Sequence, residues 1–110
     1  METVCLYYLE KPHIKISMQV YFNRNDQLYF DGYDIGKKAD EVWGDSDYEY
    51  TYTIEPEEVK KFYRLFSIQY EDRSALLQEI KKRFSGYEAY LLFGNYMQDN
   101  NIVFSSYIWM

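Results

Sequence analysis

Ile14, Ile16, Met18, Val20 and Phe22 take every second position of one stretch, with Lys15, Ser17, Gln19 and Tyr21 between them. Period two over about nine residues predicts a strand with one buried and one wet face. Asn23-Arg24-Asn25-Asp26 follows with turn chemistry, because Asn and Asp tolerate left-handed backbone angles and bond their own main chain. Leu28 and Phe30 resume the alternation, so an antiparallel hairpin is expected. Residues 3–9 are rich in β-formers and end before Pro12, which lacks a ladder donor; they predict a strand ahead of the hairpin.

After Gly32 the period changes. Ile35, Ala39, Val42 and Trp43 fall at i, i+4, i+7 and i+8, the stripe of a short helix with Asp34 as N-cap and Gly44 as its stop. Residues 47–55 return to alternation. Tyr48, Tyr50, Tyr52 and Ile54 share one face of that strand, and Asp47, Glu49, Thr51, Thr53 and Glu55 take the other.

Glu55-Pro56-Glu57-Glu58 then opens a helix, since proline fits the first turn and acids suit the positive end of the dipole. Val59, Phe62, Tyr63 and Phe66 are its expected buried stripe. Asp72 is placed to cap a second helix with Leu76, Leu77, Ile80 and Phe84 inward and Gly86 closing it. Residues 87–98 predict a third, although Gly94 costs about 1 kcal/mol against alanine. Asp99-Asn100-Asn101 breaks the pattern, and Ile102, Phe104 and Ile108 point to a last strand. The expected order is βββαβαααβ in a single α+β domain over residues 1–110: two layers, a mainly antiparallel sheet with the helices on one face.

Composition agrees with an ordered core. Of 110 residues, 47% are hydrophobic and 21% aromatic, which excludes a disordered chain. The net charge of −6 argues against nucleic-acid and anionic-membrane partners, because both are held largely by Lys and Arg. A lone cysteine, Cys5, makes no internal disulfide and no zinc site. No long uncharged apolar run and no secretory leader are evident, so a cytoplasmic protein is expected.

The charge is unevenly spread. Between Asp31 and Glu58 lie ten acids against Lys37 and Lys38 alone, so this segment carries −8 while the rest of the chain carries +2. Tyr33, Tyr48, Tyr50, Tyr52 and Trp43 are interleaved with those acids, and Tyr29 lies just before them. Aromatic residues anchor protein interfaces, and a charge of one sign steers an oppositely charged partner. The same pattern also fits a solvated acidic face whose aromatics point into the core.

Other chemistry fares worse. Asp45, Asp47 and Glu49 match positions one, three and five of an EF-hand loop, but the required glycine is Tyr50 and the closing glutamate is Pro56. A looser cation site from Asp31, Asp34, Asp45 or Asp47 stays open. No carboxylate pair is singled out for acid–base catalysis. Cys5 and His13 lie on adjacent expected strands, but His13 falls on a wet face and a buried structural cysteine is the plainer reading. No glycine-rich phosphate cradle is present. Lys81-Lys82-Arg83 suits the end of its helix.

Asp31-Gly32-Tyr33-Asp34-Ile35-Gly36, followed by Trp43-Gly44-Asp45-Ser46-Asp47-Tyr48-Glu49-Tyr50, resembles a family of small bacterial proteins. Some members look like immunity proteins encoded beside secreted polymorphic toxins. The ending, Asn100-Asn101-Ile102 with Phe104 and Trp109, is similar to that family's close. The resemblance implies a non-enzymatic inhibitor that binds its toxin tightly; no cofactor and no metal are expected. A nuclease toxin is basic, so an acidic, aromatic-rich face is its expected complement. The expected partner-binding residues are Asp31, Asp34, Asp45, Asp47 and Glu49 for charge, with Tyr33, Trp43 and Tyr48 as anchors. Three alternatives remain: an acidic nucleic-acid mimic that inhibits a DNA-binding defence enzyme, a small carboxylate-dependent hydrolase, and a house-keeping subunit of a larger assembly.

Overall fold

A computed structural model describes residues 2–37 and 45–109. Four consecutive strands, β1 (Thr3–Lys11), β2 (Ile14–Phe22), β3 (Leu28–Lys37) and β4 (Asp45–Ile54), pair antiparallel as a meander. Three helices follow: α1 (Pro56–Leu65), α2 (Arg73–Phe84) and α3 (Ala89–Asp99). The chain then returns as β5 (Ser105–Trp109), antiparallel to β4, which closes a sheet of order β1-β2-β3-β4-β5. This is the expected α+β class. Among the described residues no helix is long and apolar enough to cross a membrane.

Alternation drives the sheet as the pattern implied. Ile16, Met18, Val20 and Phe22 are buried, as are Leu28, Phe30, Tyr50, Tyr52 and Ile54 opposite them. The turn after β2 is held by Asn23, whose Oδ1 accepts from the Asn25 and Gln27 amides while Asp26 takes φ 61°. Asp72 caps α2 by accepting from the Ala75 N–H, and Gly86 turns at φ 115° just beyond its end. All four expected residues of α2 are buried, and the α1 stripe Val59, Phe62, Tyr63 and Phe66 is buried with them.

The third strand departs from expectation. Asp34, Ile35 and Gly36 continue β3, paired with Ile16, Lys15 and Ile14 on one side and with Tyr48, Asp47 and Ser46 on the other. Asp34 is therefore a mid-strand residue and caps no helix. The rest of the expected helix, with Gly44 and Trp43, lies outside the described residues. Inward positions of β3 read Leu28, Phe30, Gly32, Asp34, so the apolar alternation stops although the ladder does not. Gly32 keeps its place because the Tyr50 ring fills the space above it: a Cβ there would clash with Tyr50 Cε2.

β1 carries a bulge. Cys5 pairs with Gln19 and Tyr7 with Met18, leaving Leu6 extra, so the inward set shifts from Val4 and Leu6 to Tyr7 and Leu9. The spare Leu6 carbonyl accepts from the Gly86 N–H at 2.9 Å, which ties the end of α2 to this edge of the sheet.

The last turn of α3 is finished by a left-handed Asn101, φ 57°, and an Ile102 N–H bonded to the Met97 carbonyl. Ile102 is buried and Phe104 packs on Tyr52 with ring centroids 5.0 Å apart. Both precede β5 and lie outside it. Gly94, the one weak point of α3, faces the sheet where the Tyr52 hydroxyl needs room.

Candidate functional site

The described helices α1, α2 and α3 cover one face of the sheet, so every strand presents its alternate residues on a far face that none of them covers. Strand register arranges these in rows. Tyr8, Ser17, Tyr33, Glu49 and Trp109 form one row across all five strands. Cys5, Gln19, Asp31, Thr51 and Tyr107 form the next. Tyr21 and Tyr29 lie beyond it, and Glu10, Lys15, Ile35 and Asp47 border the opposite side.

The described far face therefore has four carboxylates (Glu10, Asp31, Asp47, Glu49) and one lysine set among six aromatic rings. Tyr8, Tyr107 and Trp109 are about half exposed. The Tyr107 and Trp109 rings lie 4.0 Å apart, and Lys15 Nζ sits 6.0 Å from both the Tyr8 and Tyr33 rings. Hydrogen bonding with Tyr33 holds the Lys15 ammonium above its ordinary value, so this lone cation stays charged. Partial burial, and then the Asp31 charge, push the Tyr21 phenol up and keep it neutral. Thr51, at the centre between its register partners Asp31 and Tyr107, is only 6% exposed.

The expected binding residues divide between two surfaces. Asp31, Tyr33, Asp47 and Glu49 are brought together on the far face. Asp34 and Tyr48 are register partners on the helix-bearing side and do not join them. Asp45 opens β4 opposite Lys37, and Trp43 lies outside the described residues. Sequence reasoning missed Tyr8, Lys15, Tyr107 and Trp109. The two-residue spacing of Tyr107 and Trp109 was legible, but the β4–β5 register that seats Trp109 opposite Glu49 was not.

On the helix-bearing side the cover ends before the sheet does. Along β4 the inward residues go from Ile54 at 0% exposed to Tyr52 at 6%, Tyr50 at 8% and Tyr48 at 42%. Where cover stops, a groove of about 360 Å³ opens, lined by Asp34, Tyr48, Tyr50, Tyr87, Glu88 and Tyr90, with Met18, Leu91 and Ile108 completing it. The Tyr50 hydroxyl donates to Asp34 Oδ1 at 2.5 Å. Tyr90 stacks on Tyr52 with centroids 4.1 Å apart and meets Tyr50 edge-on at 4.9 Å. Burial, and then the Asp34 acceptor, push the Tyr50 phenol far above its ordinary value.

Among the described residues, no three of His, Cys, Asp and Glu gather to hold a metal ion. Asp34 stands on the opposite side of the sheet from Asp31 and Asp47, which separates the loose cation set. The residues lining the groove supply carboxylates, phenols and apolar atoms, with no thiol, imidazole or ammonium among them. Set against family models, curated proteins and solved structures, the chain matches none.

Proposed function

We propose that this chain is a binding protein without catalytic activity, which neutralises a basic protein toxin by docking it on the far face of the sheet. One observation carries the reading: among the described residues, the sheet face that α1, α2 and α3 leave uncovered bears four acids to one lysine among six aromatic rings. Aromatic rings supply large contact area at low entropic cost, and Tyr and Trp recur as interface anchors. Carboxylates between them steer a basic partner and fix its register, an effect that salt weakens. A nuclease toxin meets both requirements, because its substrate-binding surface is positive and blocking that surface is enough to inhibit it.

The test is a paired capture from the organism that encodes the chain, using wild type and Asp31→Lys/Glu49→Lys as baits. Beads are washed at low salt and then at about 0.5 M, where surface charge is strongly screened. The expected result is one basic protein held by wild type through the wash and reduced at least tenfold on the reversed bait. Equal retention on both baits, or none on either, contradicts the reading. A set of DNA-binding proteins all released by salt supports a general nucleic-acid mimic in its place.

A further inference from the structure

The groove on the helix-bearing side has features that docking on the far face does not use. Its walls are aromatic: Tyr50 and Tyr90 meet at 66° to form an inner corner, and the more exposed Tyr48 and Tyr87 line it beside them. Its two ionisable acids are Asp34 and Glu88. Among the described residues neither makes an ion pair, and Glu88 sits at the N-cap of α3 without capping it.

We propose that this groove binds a small organic cation, an alkylated ammonium on a compact apolar body. An anionic ligand meets two carboxylates and no cation among the lining residues. A bare metal ion finds no third oxygen-rich ligand from an acid, and apolar walls do not replace its hydration shell. A wholly apolar ligand fills the space but brings no cation to either carboxylate, and neither has an ion-pair partner among the described residues. An alkylammonium satisfies all of these features together. Its diffuse charge is attracted to ring faces, its methyl groups tolerate loss of water, and a carboxylate beside the rings neutralises it.

Asp34 is the main anchor. Its Oδ1 is fixed by the Tyr50 hydroxyl, which orients the carboxylate within the groove, whereas the Glu88 charge is shared with the positive end of α3. The volume, about 360 Å³, falls in the range of small-molecule sites and is too small for a folded partner.

The test is an amide-resolved NMR titration of the full chain with choline and with its uncharged carbon isostere, 3,3-dimethylbutan-1-ol. Saturable shifts at Gly32, Tyr50 and Leu91 with choline, at least about tenfold weaker with the isostere, are expected. Asp34→Asn keeps an oxygen to accept from Tyr50 but removes the charge, and should weaken choline by a similar factor. Leu91→Lys changes a residue 56% exposed on the wall, so folding is preserved while a fixed cation competes for the site; choline shifts should vanish. Asp31→Lys/Glu49→Lys, on the other face, should bind choline as wild type does, which separates this site from the toxin-docking surface. Equal affinity for the two probes, no saturable shift, or undiminished binding by Leu91→Lys overturns the proposal.

Discussion

The ring of Tyr50 lies across Gly32, its register partner on β3, and in doing so carries its hydroxyl to Asp34 two residues further along that strand. A side chain at position 32 would occupy the space the ring uses. Gly32→Ala should therefore destabilise the fold by about 1–3 kcal/mol, the usual cost of overpacking. Tyr50→Phe, which removes only the hydroxyl, should cost about 1 kcal/mol. Urea unfolding of the two variants checks the ranking; a neutral Gly32→Ala contradicts the packing.

Gly94 and Tyr52 form a similar pair between α3 and the sheet. Alanine normally improves a helix interior by about 1 kcal/mol over glycine. Here a Cβ at position 94 would meet the Tyr52 hydroxyl oxygen, which itself donates to the Tyr90 carbonyl at 2.9 Å. Gly94→Ala should thus destabilise, and its cost should fall by about 1 kcal/mol in a Tyr52→Phe background, where the nearest clashing atom is gone. A double-mutant cycle in urea reads the coupling directly.

Alkaline pH should weaken the fold. Tyr50 and Tyr52 are both held far above the ordinary phenol value, first by burial; Asp34 adds to this at Tyr50 and Tyr90 at Tyr52. Below about pH 10 these phenols are neutral in folded and unfolded chains alike, and their contribution is fully present. Above it the unfolded chain releases their protons first, so stability falls as pH rises. Unfolding free energy measured from pH 8 upward should decline more gently in Tyr50→Phe than in wild type.

At the acid end the sensitive group is Glu58. Its carboxylate accepts from Lys61 Nζ at 2.8 Å and from the Val103 N–H at 2.7 Å, and these two bonds hold it below the ordinary glutamate range. With its folded value lowered, Glu58 contributes its stabilisation in full above about pH 4.3, and that contribution is lost below it as pH falls through the folded value. Melting of Glu58→Gln should lie below wild type at pH 7 and converge with it near pH 2.5.

Most of the architecture was legible because alternation and helical stripes report burial directly. Ile16 to Phe22, the Asp72 cap and the α2 stripe follow from that rule, whereas Ile14, at the start of β2, is 37% exposed. The reading failed at Asp34-Ile35-Gly36, where two inward positions of β3 are glycine and an acid. Their partners, Tyr50 and the groove, are long-range features with no local signature. The bulge at Leu6 was equally silent, since it depends on a carbonyl taken by Gly86. Of the candidate site, Asp31, Tyr33, Asp47 and Glu49 were found by charge and spacing. Tyr8, Lys15, Tyr107 and Trp109 reach the same surface only through strand order and register, which composition does not encode.

Side-chain footprinting of the complex with the captured partner tests the proposed docking of a basic protein on the far face. Hydroxyl-radical labelling should fall severalfold at Tyr33, Tyr107 and Trp109 when the complex forms. Tyr70, which is 55% exposed between α1 and α2, should label as before. Protection at Tyr70 with Tyr107 and Trp109 unchanged would place the partner on the helices and contradict the assignment.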